Sequence, residues 1–105
     1  MDKKRRLLIV VDYQNDFVDG SLGFPEASLL EKPICDKIDL FRSMGADVAF
    51  TLDTHLENYL QTQEGRKLPI PHCLKGSEGW NLYGKVAGKR SNSDPVFEKG
   101  LPEKQ

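Results

Sequence analysis

Residues 6–11 read Arg-Leu-Leu-Ile-Val-Val, an apolar run without alternation that Asp12 closes. That pattern reads as a strand buried on both faces, the kind found in parallel sheets. Asp12-Tyr-Gln-Asn-Asp-Phe-Val-Asp-Gly then turns the chain, and Gly20, Gly23 and Pro25 keep the next stretch irregular. Residues 33–44 carry the clearest helical pattern. Pro33 suits a first helical position, Ile34, Ile38 and Phe41 recur at helical spacing with Cys35 beside them, and Gly45 is a natural stop. A second strand follows over 46–52 and ends at Asp53, residues 78–88 suit a short helix carrying Trp80, Leu82 and Val86, and residues 95–99 suit a third short strand. Strand, helix, strand, long excursion, strand is the beginning of a doubly wound α/β fold.

In such sheets ligands sit beyond the carboxyl ends of the strands. Asp12 falls at the first of these ends, Asp53 and His55 at the second, and Lys99 at the third. Taken singly, Asp12 reads as a turn carboxylate capping backbone donors and Lys99 as a solvated lysine. Their coincidence at equivalent positions argues for a site.

Both histidines of the chain lie within residues 51–76, a stretch that begins at the end of the second strand. Asp53 and His55 are two apart, a spacing that puts both side chains on one face of an extended segment. Glu64 and His72 follow in a polar loop punctuated by proline and glycine. Two imidazoles and two carboxylates form a nitrogen and oxygen set suited to a divalent metal such as zinc, manganese or iron. The competing reading is two ordinary histidines and solvated loop carboxylates, because the spacing is looser than that of strong zinc signatures.

Composition narrows the function classes. A net charge of −1 leaves no basic surplus for nucleic acid. No apolar run approaches the ~20 residues of a membrane span. The start, Met-Asp-Lys-Lys-Arg-Arg, is basic, but Leu7 to Val11 is too short for a signal-peptide core, so a cytoplasmic protein is expected. Cys35 and Cys73 make no disulfide pattern and are expected to be free thiols. The 105 residues suit one small domain.

Five stretches resemble a known family. Residues 7–17, Leu-Leu-Ile-Val-Val-Asp-Tyr-Gln-Asn-Asp-Phe, are similar to the opening strand and catalytic aspartate of the isochorismatase-like cysteine hydrolases. Asp53-Thr-His55, Thr62-Gln-Glu64-Gly65 and Pro71-His72-Cys73 resemble the metal-site segments of the nicotinamidase branch, and Phe97-Glu98-Lys99 the strand with the catalytic lysine. The resemblance covers about residues 6–99. It implies a Rossmann-like three-layer α/β/α fold with six parallel strands in the order 3-2-1-4-5-6. Residues 1–105 would form a single partial domain, the N-terminal half of that sheet, with 100–105 an atypical tail. It also implies a Cys–Asp–Lys catalytic set that turns nicotinamide and water into nicotinate and ammonia. Asp12 would take the thiol proton, Lys99 would stabilise thiolate and oxyanion, and Phe17 would stack on the substrate ring. Asp53, His55, Glu64 and His72 would hold a divalent metal, zinc first, manganese or iron as alternatives.

The family's nucleophilic cysteine lies well after the lysine, and this chain ends six residues past Lys99. Cys35 falls in the apolar helix and reads as core. Cys73 sits in the metal loop, out of place for the nucleophile, with metal ligation left open. The expectation is therefore the N-terminal part of a nicotinamidase-like hydrolase, inactive alone. The alternatives are a non-catalytic metal- or partner-binding product and an isochorismatase-like hydrolase of another substrate. With the fourth strand absent, the first would keep an unpaired apolar edge, so self-association or complementation by a C-terminal segment is expected.

Overall fold

The computed structural model describes residues 5–100. Three parallel strands, β1 (Leu7–Val11), β2 (Asp47–Asp53) and β3 (Val96–Lys99), form one sheet in the order β1-β2-β3. This is the α/β half-sheet expected, with β2 in the middle. Between β1 and β2 lie a one-turn helix, α1 (Asn15–Val18), a 3-10 turn over Pro25–Leu30 and the long helix α2 (Glu31–Ser43). Between β2 and β3 lie two 3-10 turns, Tyr59–Gln61 and Glu78–Trp80, and two short helices, α3 (Gln63–Lys67) and α4 (Gly84–Lys89).

The helix expected over 33–44 begins two residues earlier, and Pro33 is its third residue rather than its first. A proline is tolerated there because the first turn's N–H groups have no partner within the helix. Gly45 takes φ 75°, the left-handed turn that ends the helix. The helix expected over 78–88 divides into the 3-10 turn and α4, separated at Asn81–Tyr83 by extended backbone.

The core lies between one face of the sheet and the α2–α4 layer. Val10, Val48 and Phe50 of the sheet meet Cys35 and Ile38 of α2 and Val86 of α4, with Ile34 and Val96 at the margin. Cys35 is thus a core residue, its thiol pushed up by burial. A bidentate pair ties α2 to the approach to β3: Arg42 donates from Nη1 and Nη2 to the Asp94 carboxylate at 3.1 and 2.6 Å.

The opposite face differs from the reading of β1 as buried on both sides. Leu7, Ile9 and Val11 are 55, 50 and 62% exposed, and Phe97 of β3 is 58% exposed. These side chains alternate with the buried ones and share the second face. Among the described residues no helix covers that face, so this half of the α/β fold carries its helices on one side of the sheet. An unalternating apolar run signals two covered faces only when both layers are present. Along its outer edge β1 pairs with no strand of the described residues, and an apolar groove there is lined by Leu8, Val10, Pro33 and Ile34.

Candidate active site and metal centre

All three strands end on one side of the molecule. Lys99 is the last residue of β3, Asp53 is its registered neighbour at the end of β2, and Asp12 follows β1 directly. Asp12 has φ 53°, the left-handed region that Asp reaches more readily than most residues. This twist ends β1 and turns the carboxylate toward β3. Its Oδ2 lies 2.7 Å from Lys99 Nζ. Its Oδ1 accepts a 2.6 Å bond from the Thr51 hydroxyl, and the same hydroxyl oxygen accepts the Asp12 N–H at 3.1 Å. The bond to Asp12 holds the Lys99 pKa above the ordinary lysine value, so the ammonium is retained at neutral pH.

The second cluster is assembled by a return of the chain. The segment after Pro71 clips onto β2's continuation as an isolated parallel bridge between His55 and Leu74. The His55 N–H donates to Cys73 O at 2.9 Å and the Lys75 N–H donates to His55 O at 2.8 Å. That bridge carries His72 to His55, with ring centroids 4.7 Å apart. Asp53 Oδ2 lies 3.1 Å from His55 Nε2 and 3.3 Å from His72 Nε2. Tyr59, buried, backs both rings at 4.7 and 5.2 Å. Glu64 Oε2 is 3.9 Å from His55 Nε2 on a half-exposed side chain, at the rim rather than in the close group. Phe17 meets His72 edge-on at 5.6 Å.

The donor set fits a divalent ion. One ligand atom each from Asp53, His55 and His72 lie within 4.8 Å of one another. A tetrahedral zinc with bonds of about 2.0–2.1 Å spaces its ligands roughly 3.3 Å apart, close to the carboxylate–imidazole separations seen here. His72 Nδ1 lies 2.7 Å from Ile70 O, so it donates there and turns Nε2 toward Asp53, as a backbone carbonyl orients the ring of a metal-bound histidine. A cleft of about 280 Å³ lined by His55, Tyr59, Thr62, Glu64 and Gly100 opens beside the cluster.

Cys73, between the clusters, is fully buried with φ 50°. Its N–H donates to Asp16 Oδ2 at 2.7 Å. Its thiol is pushed up to about 12, chiefly by burial and then by Asp53, Asp16 and Asp12. A thiol so disfavoured as thiolate is a poor nucleophile. Sequence reasoning missed Thr51, Asp16, Tyr59 and Gln14, which touch the site residues through hydrogen bonds or ring contacts. Gln14 and Asp16 lay inside the stretch that carried the resemblance, but nothing in their residue type signalled a role.

A parallel α/β half-sheet with an Asp–Lys pair and an Asp–His–His cluster at its carboxyl end defines the class, and the comparisons agree with it. The Isochorismatase domain matches residues 6–103, and the chain belongs to that family. It is 39% identical over 98 residues to the Bacillus subtilis (strain 168) protein described as uncharacterized isochorismatase family protein PncA, covering 90% of this chain and 49% of that protein. Its fold is similar to that of the Pyrococcus horikoshii pyrazinamidase in complex with zinc, at TM-score 0.77 and 29% identity over 94% of this chain and 54% of that one. It is equally similar to the B. subtilis nicotinamidase/pyrazinamidase PncA, at TM-score 0.77 and 30% identity over 91% and 56% of the two chains. The chain thus spans about half the length of the relatives it matches. Among the described residues no helix is long and apolar enough to cross a membrane.

Proposed function

We propose that this chain carries the acid–base pair and the metal cradle of a nicotinamidase-type amidohydrolase, whose thiol nucleophile comes from outside these 105 residues. The observation that carries the reading is the 2.7 Å Asp12–Lys99 pair standing at the same strand ends as the Asp53–His55–His72 group. The relatives named for nicotinamidase and pyrazinamidase activity support a small aromatic amide as substrate. Both cysteines of this chain are buried with raised pKa values, which supports an external thiol.

In this reading Asp12 takes the proton of the incoming thiol and Lys99 holds the thiolate and the developing oxyanion by charge. The thiolate attacks the carboxamide carbon. Asp12 returns the proton to the leaving nitrogen as the C–N bond breaks, so ammonia departs and a thioester remains. Water then cleaves the thioester, giving the carboxylic acid and restoring the thiol. Phe17, beside His72, offers an aromatic face to the substrate ring. Asp53, His55 and His72 would hold a divalent ion, zinc first, that supplies a Lewis-acid anchor for a pyridine nitrogen. Glu64, 3.9 Å from His55 at the rim, would add negative charge beside that set.

Ammonia release from nicotinamide tests the reading. The chain alone is expected to give none above background. Addition of the C-terminal half of a full-length relative is expected to restore release, and Asp12→Ala to abolish it. Release by the chain alone that disappears in Cys73→Ala would overturn the proposal. No release from the mixture, with the two pieces bound to each other, would favour a non-catalytic binding role instead.

A further inference from the structure

Where β1 leaves the sheet at Asp12, β2 runs on for two more residues. The Thr51 carbonyl still faces β1 and accepts the Asp12 N–H at 3.1 Å. In a strand, backbone groups two residues apart face the same edge, so the N–H and carbonyl of Asp53 also face the side that β1 has vacated. Buried backbone groups without partners cost about 1–3 kcal/mol each. Here both are met by one side chain. Gln14 Oε1 accepts the Asp53 N–H at 2.8 Å, and Gln14 Nε2 donates to Asp53 O at 2.9 Å and to Trp80 O at 2.7 Å. Gln14 is fully buried. Its amide thus occupies the place of a missing strand residue, two residues along the chain from Asp12.

We infer that Gln14 is a positioning residue for the metal cradle: its amide clamps the Asp53 main chain on both sides and so sets the Asp53 carboxylate between His55 and His72. Few alternatives hold Asp53 on that side. β3 and its continuation grip the other edge, where the Thr54 N–H donates to Lys99 O at 2.7 Å. Aspartate, with two side-chain torsions, follows its backbone closely, so a loosened residue 53 moves the one oxygen that both imidazoles face. Gln14 also links the cradle to the Asp12–Lys99 pair, since it and Asp12 lie on the same short turn after β1. No other amide-bearing side chain of the described residues bonds Asp53. The inference rests on the metal reading above and adds a residue to it.

The test is zinc titration calorimetry on the 105-residue chain, with the fold of each variant checked by circular dichroism. Gln14→Glu keeps the size and the acceptor for the Asp53 N–H but loses the two donated bonds; Gln14→Met keeps the volume and loses all three. Asp94→Asn, a destabilising change remote from the cradle, controls for general loosening, and His55→Ala sets the floor. Loss of a group that holds a metal ligand in place costs about 10–100-fold in metal affinity. A weakening of that size is expected in Gln14→Met, a smaller one in Gln14→Glu, and none in Asp94→Asn. Amide exchange at Asp53 should accelerate in Gln14→Met, which loses the acceptor of its N–H, and less in Gln14→Glu, which keeps it, while the rest of β2 stays protected. Wild-type affinity in Gln14→Met, or an equal loss in Asp94→Asn, overturns the inference alone. Failure of the wild-type chain to bind zinc overturns the metal reading and this role with it, leaving only the exchange result as evidence of a backbone clamp.

Discussion

At the scale of single residues, Asp12 combines two demands. Its φ of 53° ends β1, and its carboxylate bridges Thr51 and Lys99. Asparagine tolerates the left-handed region about as well as aspartate, whereas a β-branched residue is a steric outlier there. Asp12→Asn is therefore expected to cost no more than about 1 kcal/mol, since Lys99 is half exposed and its ion pair is screened. Asp12→Val is expected to cost roughly 2 kcal/mol or more, through backbone strain and the lost hydroxyl bond. Urea denaturation of the two variants measures this; equal stability would show that the left-handed turn is not strained. The sequence placed Asp12, Asp53, His55 and Lys99 at strand ends. It could not show that Gln14 serves as a strand surrogate, because a glutamine's partners are set by which backbone groups the turn leaves open.

At the scale of elements, the Arg42–Asp94 pair fastens α2 to the segment entering β3. Asp94 is buried and also accepts the Ser91 N–H at 2.7 Å. Its pKa is held below the ordinary carboxylate value, first by the Arg42 hydrogen bonds and then by that of Ser91. A carboxyl with a depressed folded pKa binds more protons when unfolded, so its stabilisation rises with pH. It is fully present above the unfolded carboxyl pKa of about 3.9 and is lost as pH falls through the depressed folded value. Asp94→Asn is expected to destabilise the chain by about 1–2 kcal/mol at pH 7, at the lower end of charge-assisted bonds because Arg42 stays a third exposed. The gap between wild type and variant should close as the pH of the melts is lowered below 4, as roughly the carboxyl pKa requires. A gap that persists there would assign the stabilisation to packing instead.

At the scale of the whole molecule, the sheet is covered on one face and paired on one edge of β1. Ile9, Val11 and Phe97 present apolar side chains on the other face, and the β1 edge carries no proline, charge or bulge between Leu7 and Val11. An open edge beside an apolar face is a template for a further strand and helix, supplied by a second copy or by the C-terminal half of a relative. Sedimentation is expected to find the chain self-associated, with Ile9→Lys shifting it toward monomer and the added C-terminal half replacing self-contacts by a one-to-one complex. A stable, cooperatively unfolding wild-type monomer would show that the edge is closed in some other way.

The sequence by itself determined the half-sheet and its strand ends. An apolar run, a helical repeat and a second apolar strand are local patterns, and a parallel sheet of β1 and β2 follows from the helix that joins them. It also brought Asp53 and His55 to one face, because their spacing is a backbone period. The tertiary structure alone decided which residues close around them. His72 reaches His55 only through the bridge at Leu74, Glu64 stays at the rim because α3 holds it there, and Gln14 meets Asp53 because β1 twists away two residues before β2 ends. The exposure of β1's second face was equally illegible. An apolar run records that a surface needs covering, but which chain covers it depends on elements that lie elsewhere in space.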